Sequence, residues 1–334
     1  MALDMPVSSP FSSKLPSLVA AGLRLALQLI LVVLLAYLLL AWSPLDPINS
    51  YLNGNLFGIS VEQKSALISS LGLDQSVAQR MWHWVCELAQ GNLGFSPLYQ
   101  QSVFDIIKER LPISLLLIGL SWLCSLIFGY GLGLLAGVYQ GRWLDKFIRN
   151  FAWLVACIPS FWLGMLLISL FSVALRLTPV CCSAPLGMQF NEQNLLSMAY
   201  HLLLPVLTLA LVHMAPIVLH TREKVIDVLD SDFVEYSRLH GDSKASVIGY
   251  HVIKNSLLPA VVLHFASFAE LFGGSILAET VFNFPGLGAT LVKAGLANDT
   301  ALLMGCTLIS AVLVFVGNLV ANGLSKSLLA GEQR

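Results

Sequence analysis

Long apolar runs alternate with shorter polar segments along this chain of 334 residues. A membrane-spanning helix needs about 20 consecutive, mostly apolar residues, and the longest runs reach about that length. We therefore predict an all-α polytopic membrane protein with six transmembrane helices. The predicted spans are Leu25–Trp42, Ile113–Tyr139, Phe151–Leu175, Met198–Leu219, Ser256–Ala278 and Ala301–Ser325.

The overall composition supports a membrane protein. Hydrophobic residues make up 57% of the chain and charged residues only 11%, whereas soluble domains carry about 25% charged residues. The net charge of −1 gives no reason to expect nucleic-acid binding. The first apolar run is longer than the apolar region of a signal peptide. No cleavage site of small residues follows Trp42, so we expect this helix to be retained.

Basic residues set the expected orientation, because cytoplasmic segments of membrane proteins are enriched in Lys and Arg. If both termini are cytoplasmic, the inside segments hold 12 of the 18 Lys and Arg residues. We therefore predict cytoplasmic N and C termini. The predicted parts are a cytoplasmic segment 1–24, a first transmembrane helix 25–42, an external cap of short helices 43–111, a five-helix membrane core 112–325 with a cytoplasmic loop 220–254, and a cytoplasmic tail 326–334.

The most informative polar segment runs from His220 to Lys254, between two predicted spans. A long segment on the cytoplasmic side of a helical bundle is a place where a soluble partner can act. Residues Val225 to His240 fit one amphipathic helix, Gly241 permits a sharp turn after it, and Pro259 marks the return into the membrane. The apolar face of this helix would hold Ile226, Leu229, Phe233 and Tyr236, and the residues left for a partner would be Asp232, Glu235 and Arg238.

Helix-breaking and small residues occur inside several predicted spans. Small residues let membrane helices approach closely, and Pro frees backbone carbonyls that neighbouring groups must bond. Both a bundle that changes shape and the ordinary composition of membrane helices explain such residues, and the sequence leaves both open. The residues are Gly129, Gly131, Gly133 and Gly137 in the second span, Pro159 in the third, Pro205 and Pro216 in the fourth, and Pro259 and Gly273-Gly274 in the fifth.

The sequence contains none of the common catalytic or nucleotide-binding motifs. The GxxxxGK[ST] phosphate loop, the HExxH zinc motif and the GxSxG nucleophile motif are all absent. We therefore expect no catalytic residue, no cofactor and no metal site. Six cysteines are scattered without CxxC spacing. We interpret the adjacent Cys181 and Cys182 as two small apolar loop residues.

Glu270 is the only acid deep inside a predicted span. A charged group there is costly, so it is by default a functional candidate. We predict that Glu270 lines a pathway through the membrane, with His264 and His213 as further candidates. On an ideal helix His264 and Glu270 point to different faces, so they do not form a ready pair within one helix. The alternative is that Glu270 is protonated, or bonded to a neighbouring helix, and only shapes the bundle.

Five stretches match a known family in the expected order. They are Leu73 through Phe95, Ile158 through Gly164, His201 through Pro205, Asp232 through Gly241 with Lys254 through Pro259, and Glu279 through Gly288. On these residues the chain resembles the permease subunits of binding-protein-dependent ABC importers, in the oligopeptide/dipeptide/nickel branch. The resemblance covers nearly the whole chain and implies the type I ABC importer permease fold.

The resemblance also implies how the protein works. The cytoplasmic loop would dock on a separate ATPase, whose ATP-driven closure would switch the membrane bundle from inward-facing to outward-facing. The chain would be a transport component rather than an enzyme. The implied partners are a second homologous permease subunit, two ATP-binding subunits, a periplasmic substrate-binding protein and the lipid bilayer of the inner membrane. The implied coupling residues are Asp232, Phe233, Glu235, Tyr236, Arg238, Gly241 and Pro259.

The cargo and the partner surface are the least determined features. Glu270 shortly before Gly273-Gly274, together with a short outer loop, resembles the nickel members and favours a nickel chelate over a di- or oligopeptide. Relatives often carry Arg where this chain has Glu235, and a small residue where it has Leu239. The usual Asp-Pro-Arg tail is also missing. The charge reversal at Glu235 implies a matching change on the surface of the ATPase.

Two other functions remain open on the sequence alone. A self-sufficient secondary transporter could use Glu270 for ion coupling, but that class often shows inverted repeats, and the two halves of this chain share no visible motif. An intramembrane enzyme could use Glu270 and a histidine, but no second catalytic acid stands at helical spacing from it. Transport by this chain alone, without nucleotide, would distinguish the first of these from an ATP-driven importer.

Overall fold

A computed structural model describes residues 14–42, 60, 62, 65, 68–69, 74–184 and 194–332. Almost all of these residues are helical, apart from a short antiparallel ribbon of β1 (Phe95–Ser96) and β2 (Gln101–Ser102). The helices are α1 (Lys14–Ala41), α2 (Val77–Ala89), α3 (Val103–Val138), α4 (Trp143–Ala156), α5 (Ser160–Leu167, continued by π-helical turns Ile168–Ala174), α6 (Leu195–Leu229), α7 (Asp232–Leu239), α8 (Lys244–Val247, followed by a π-helical turn Ile248–Val252), α9 (Ile253–Ala266), α10 (Phe268–Val281), α11 (Leu287–Leu296) and α12 (Thr300–Glu332).

The described residues contain five helical segments long and apolar enough to cross a membrane, or six if α4 and α5 count as one bent span. This confirms the all-α, membrane-spanning fold. The predicted third and fifth spans, however, are not single straight helices. The five segments are Gly22–Leu40, Val103–Val138, Leu195–Leu229, Lys244–Ala266 and Thr300–Gly323.

The predicted third span, Phe151–Leu175, is wrong as one helix. Helix α4 ends at Ala156, and the next helix starts at Ser160 after a bend of 107°. Pro159 causes the break, because it has no backbone N–H and it biases the preceding residue away from helical conformation. Helix α4 is instead amphipathic. Its buried side is Asp145, Ile148, Ala152 and Val155, while its exposed side includes Trp143, Phe147 and Trp153.

The predicted fifth span, Ser256–Ala278, is also interrupted. Helix α9 ends at Ala266 and α10 begins at Phe268. Between them the Ser267 hydroxyl donates to the carbonyl of His264 at 3.0 Å. Such a local side-chain bond competes with the backbone ladder and allows a helix to end. The apolar segment that precedes the break starts earlier than predicted, at Lys244.

Small residues of α3 bring this helix into close contact with α6. A Cβ added to Gly129 would lie 3.0 Å from Ile217, one added to Gly133 would lie 2.6 Å from Thr221, and one added to Gly137 would lie 2.5 Å from Val225. The three glycines are four residues apart, so they occupy one side of the helix. Gly131 does not share this role, because nothing lies within 4 Å of a Cβ built on it.

We expect Gly133→Ala to destabilise the protein, while Gly131→Ala leaves it unchanged or slightly more stable. The added methyl at position 133 would also lie 2.8 Å from the Val218 carbonyl, so the helices must separate. Overpacking of this kind costs about 1–3 kcal/mol, whereas Ala in an open helical position gains up to about 1 kcal/mol over Gly. The thermal midpoint of the detergent-purified protein measures both changes. Equal midpoints for the two variants would contradict the close packing.

The chain divides into two compact units. The first comprises Met1–Phe104 and Ala294–Phe315. Within its described residues, Tyr37, Trp84 and Met304 form a buried cluster, and buried Asp299 accepts hydrogen bonds from the Ser96 hydroxyl at 2.5 Å and the Leu302 N–H at 3.0 Å. Most of 43–73, the first part of the predicted external cap, lies outside the described residues. The part that is described holds α2 and the ribbon.

Helix α3 starts at Val103, inside the predicted external cap, and continues through residue 112, where the core is predicted to begin. Pro112 lies inside α3 without ending it. A correction concerns the neighbouring cysteines. Cys181 and Cys182 form a disulfide and are not two independent loop residues. Adjacent cysteines can bond only in a tight turn, and Cys182 has a φ of 76° and donates its N–H to the Phe282 carbonyl at 2.9 Å.

The second unit comprises Asp105–Lys293 and Val316–Arg334. Its described core contains one cluster where α4 packs on α6, with Ile148, Ala152 and Ala215 among its members. A second cluster lies beyond the end of α6 and holds the segment that the sequence singled out. The valines of this second cluster, called the valine cluster below, are Val225, Val228, Val234, Val247 and Val252.

Candidate functional site

The polar segment His220–Lys254 folds as a set of short helices after the end of α6. The single amphipathic helix predicted for Val225–His240 does not form, because α6 ends at Leu229 and α7 starts at Asp232. Ser231 has an extended backbone, and its hydroxyl donates to the Val228 carbonyl at 2.5 Å. Ser and Asp favour such helix ends over helix interiors, since their side chains bond the local backbone.

One side of α7 is fixed to the rest of the unit. Val234 is fully buried in the valine cluster. One turn later the Ser237 hydroxyl donates to the Asp242 carboxylate, and the Asp242 N–H donates back to the Ser237 carbonyl at 3.2 Å. The helix has only eight residues, too few to be stable alone in water. Its position therefore depends on these contacts.

The opposite side of α7 is exposed and partly aromatic. The exposed fractions are 46% for Phe233, 64% for Tyr236 and 79% for Leu239. The predicted apolar face that joins Phe233 and Tyr236 to Ile226 and Leu229 does not form, because the helix is broken between them. The break at Ser231 changes the helical phase, so that Val234 and Ser237 face inward instead. We call the exposed surface the α7 outer face; it consists of Asp232, Phe233, Glu235, Tyr236, Arg238 and Leu239.

The charges of α7 are arranged favourably along the helix. Asp232 and Glu235 lie in its first turn and Arg238 in its last, which complements the helix dipole. Tyr236 packs on His240 with ring centroids 4.0 Å apart. The outer face therefore combines apolar rings with both signs of charge.

Gly241 ends the helix in a conformation that other residues avoid. Its φ is 91°, and its N–H donates to the Arg238 carbonyl at 3.1 Å. A left-handed glycine after the last helical residue is a common helix terminator. Pro259, in contrast, lies inside α9 and does not mark the start of an apolar segment, because that segment begins at Lys244.

A buried ion pair supports this end of α6, and sequence reasoning missed it. Arg222 makes a two-pronged contact with Asp145 of α4, with Nε to Oδ1 at 2.5 Å and Nη2 to Oδ2 at 2.9 Å. The Gly141 N–H donates to the same carboxylate at 2.8 Å. One signal was present in the sequence, since Asp145 falls on the buried spacing of Ile148 and Ala152.

The three polar residues predicted to line a pathway lie near one another. His264 is buried, donates from Nε2 to the Trp122 carbonyl at 2.9 Å, and stacks on the Trp122 ring. His213 of α6 donates to the Leu209 carbonyl at 2.9 Å and lies close to the backbone of Glu270. It is close enough to interact electrostatically with both Glu270 and His264. Neighbouring helices thus bring together residues that a single ideal helix would separate.

Glu270 itself is exposed and makes no side-chain hydrogen bond or ion pair within the part of the chain that the structure describes. The described residues also contain no group of three or more His, Cys, Asp or Glu side chains that could hold a metal ion. The site therefore offers a single open carboxylate near His213, which in turn lies near His264.

A second carboxylate, Glu279, is fully buried and closes the turn between α10 and α11. It accepts hydrogen bonds from the Ser114 hydroxyl at 2.6 Å and from the Ala289 N–H at 3.0 Å. A Cβ added to Gly286 would lie 2.3 Å from the carboxylate carbon, so only glycine leaves room there. This explains the pattern Glu279 to Gly288, which the sequence showed without revealing that the acid binds its own turn.

Comparison with known proteins agrees with this architecture. The family model described as binding-protein-dependent transport system inner membrane component matches residues 129–330. A putative peptide permease of Brucella suis biovar 1 is 30% identical over 306 residues, 91% of this chain and 93% of the relative. The oligopeptide transport system permease AppB of Bacillus subtilis is 30% identical over 292 residues, 87% of this chain and 90% of the relative.

A third relative, the glutathione transport system permease GsiC of Escherichia coli O6:H1, is 34% identical over 254 residues, 76% of this chain and 79% of the relative. The family match covers the close packing of α3 on α6, the α7 region and the Glu279 turn. The chain therefore belongs to the family of inner membrane permease subunits of binding-protein-dependent ABC importers.

Proposed function

We propose that this chain is the membrane permease of an ATP-driven importer of short peptides, and that it receives the work of ATP hydrolysis through α7. The observation that carries the proposal is the α7 outer face. Phe233 and Tyr236 expose much of their rings to solvent although the helix is firmly anchored on its other side. Exposed aromatic rings on a rigid helix are typical of surfaces that bind a protein partner.

The partner of this surface is a separate ATPase subunit. Family membership makes the chain a transport component, and its sequence has no phosphate-binding loop of its own. Charges of both signs, Asp232, Glu235 and Arg238, would orient the partner, since charge complementarity fixes the register of an interface. We further propose that the N and C termini are cytoplasmic, which puts the outer face on the side where ATP is available.

A displacement of α7 would be passed to the membrane helices. The valine cluster joins α7 to the end of α6 through Val225 and Val228, and to the start of the next span through Val247 and Val252. The Asp145–Arg222 ion pair joins the same end of α6 to α4. Since close-packed interiors have low compressibility and transmit strain, α7 and these helix ends would move together.

The cargo we propose is a short peptide. Relatives of similar length are named as permeases for peptides, oligopeptides and glutathione, which is itself a small peptide. A nickel chelate, favoured by the sequence resemblance, is the second candidate. The proximity of His213 to Glu270 and to His264 supports it, and a chelate does not need a protein cage of several ligands.

The assembly we propose contains a second homologous permease subunit, two ATP-binding subunits and a periplasmic substrate-binding protein. The test purifies this assembly through a tag on the chain and reconstitutes it in proteoliposomes with the binding protein. We expect ATP-dependent accumulation of a labelled tripeptide, and none from liposomes holding the chain alone. A nickel–histidine complex is the matched second probe. Its accumulation in place of the peptide would identify the nickel chelate, and not a short peptide, as the cargo. Accumulation by the chain alone without nucleotide would indicate a secondary transporter instead.

A further inference from the structure

Helix α10 presents one exposed strip of residues along its length. Glu270, Gly273, Leu277 and Thr280 are exposed, and their spacings of three and four residues place them on one side of a helix. The other side is packed in the unit, with Leu271, Ser275 and Ala278 buried. The exposed strip therefore faces something other than the described residues of this chain.

The sequence places Glu270 inside the predicted fifth span, Ser256–Ala278, where an acid is unsuited to contact with lipid. A carboxylate facing hydrocarbon is costly, and intramembrane acids almost always face a bundle interior or a water-filled cavity. Three residues after Glu270, Gly273 leaves open space, since nothing lies within 4 Å of a Cβ built on it. A carboxylate next to a gap in the helix surface is accessible to a molecule that passes along the helix.

The polar residues behind Glu270 support a built site at this point. His213 contacts the backbone of Glu270, and Gly274 makes room for its ring, because an added Cβ would lie 3.2 Å from His213 Cε1. His264, within electrostatic range of His213, is 1% exposed, and its Nδ1 has no hydrogen-bond partner among the described residues. A buried polar atom without a partner is uncommon in native proteins, and this one belongs to the imidazole that interacts with His213.

We propose that the Glu270 carboxylate binds the ammonium group of peptide cargo as the peptide passes through the bundle. A carboxylate that lacks an internal partner attracts a cation, and the free amino terminus is the one cationic group that every unmodified peptide has. The inference rests on the proposed import of peptides and adds to it the chemical group that is recognised. It also explains why the acid has no partner among the described residues, since an internal cation would compete with the cargo.

The test compares Glu270→Gln with the unchanged protein in the reconstituted assembly, using Ala-Ala-Ala and its N-acetylated form. Occupancy of the binding protein is measured for each peptide, and uptake rates are expressed per loaded binding protein. We expect Glu270→Gln to lower the uptake of the free-amine peptide about tenfold or more, as loss of a partly desolvated ion pair does. Uptake of the acetylated peptide should stay within about twofold. Glu270→Asp should restore most of the lost uptake.

Two controls make the result specific. Asp105→Asn removes the same charge from an exposed site in the first turn of α3, and it should change neither rate. An acetylated peptide with a central lysine distinguishes the amino terminus from a side-chain ammonium. If its uptake falls with Glu270→Gln, the site recognises any ammonium, which supports the ion pair. If it does not fall, the site recognises the amino terminus, which also supports it.

Other outcomes overturn the inference without affecting the proposed function. An equal fall in the uptake of both peptides, or no fall in either, would show that Glu270 does not bind the ammonium group. Loss of co-purifying subunits from Glu270→Gln would show that the carboxylate pairs with another subunit. Failure of the unchanged assembly to accumulate either peptide would instead contradict the proposed function itself.

Discussion

Replacing Gly241 with Val is expected to abolish ATP-dependent uptake while the protein still inserts into the membrane. The glycine has a φ of 91°, and a side chain in left-handed conformation costs about 1–2 kcal/mol, with β-branched residues the least tolerated. Space is not the obstacle, since nothing lies within 4 Å of a built Cβ. The turn would relax by rotating, which breaks the Ser237–Asp242 contact that positions α7.

Gly241→Asn is the matched control, because Asn tolerates left-handed conformation far better than other residues with a Cβ. We expect it to retain most uptake, whereas the Val variant loses more than about tenfold, the factor that 1.4 kcal/mol represents. Uptake and membrane content are measured together in the reconstituted assembly. Full uptake by Gly241→Val would show that the geometry of this turn has no part in coupling.

We expect removal of the Asp145 side chain to lower the stability of the protein more than Gly133→Ala or Glu223→Gln does. Breaking a buried ion pair by deleting one partner costs about 3–5 kcal/mol, because the other charge stays buried without compensation. Arg222 would keep only its contact with the exposed Glu223. The thermal midpoint of the detergent-purified protein should therefore fall clearly in Asp145→Ala.

The double variant Asp145→Leu/Arg222→Met tests the cause of this loss. Replacing both charges with apolar residues of similar size is often close to neutral, so we expect recovery of most of the lost stability. Glu223→Gln is the surface control and should cost at most about 1 kcal/mol. A double variant as unstable as Asp145→Ala would mean that the loss comes from packing and not from the unpaired Arg222.

Hydrophobic runs predicted most of the membrane-spanning helices because length and apolar character are enough to identify them. They did not show where a run bends. Pro159 was noticed as a helix breaker, yet its effect, a bend of 107°, depends on α4 burying its own apolar side against α6. The interruption at Ser267 was harder to predict from the sequence, because a serine within an apolar run ends a helix only when its surroundings permit.

The sequence predicted a helix over the residues of α7, but it did not predict which side of that helix is packed. One added break, at Asp230 and Ser231, reverses which side of the helix is packed. The contacts that support the site could not be predicted from the sequence for a different reason. Asp145 with Arg222, and Glu279 with Ser114, join residues 77 and 165 positions apart. A single sequence contains no information on such pairings except that each acid lies at a position where an apolar residue would be expected.

The glycines of α3 also limit where the protein can change shape. Sliding α3 past α6 would force Thr221 and Val225 over a backbone that leaves no clearance for even a methyl group. In the proposed import cycle these two helices would therefore move as one body. In the proposed import cycle, rotation would then be concentrated where the helices are already interrupted, at Pro159 and Ser267.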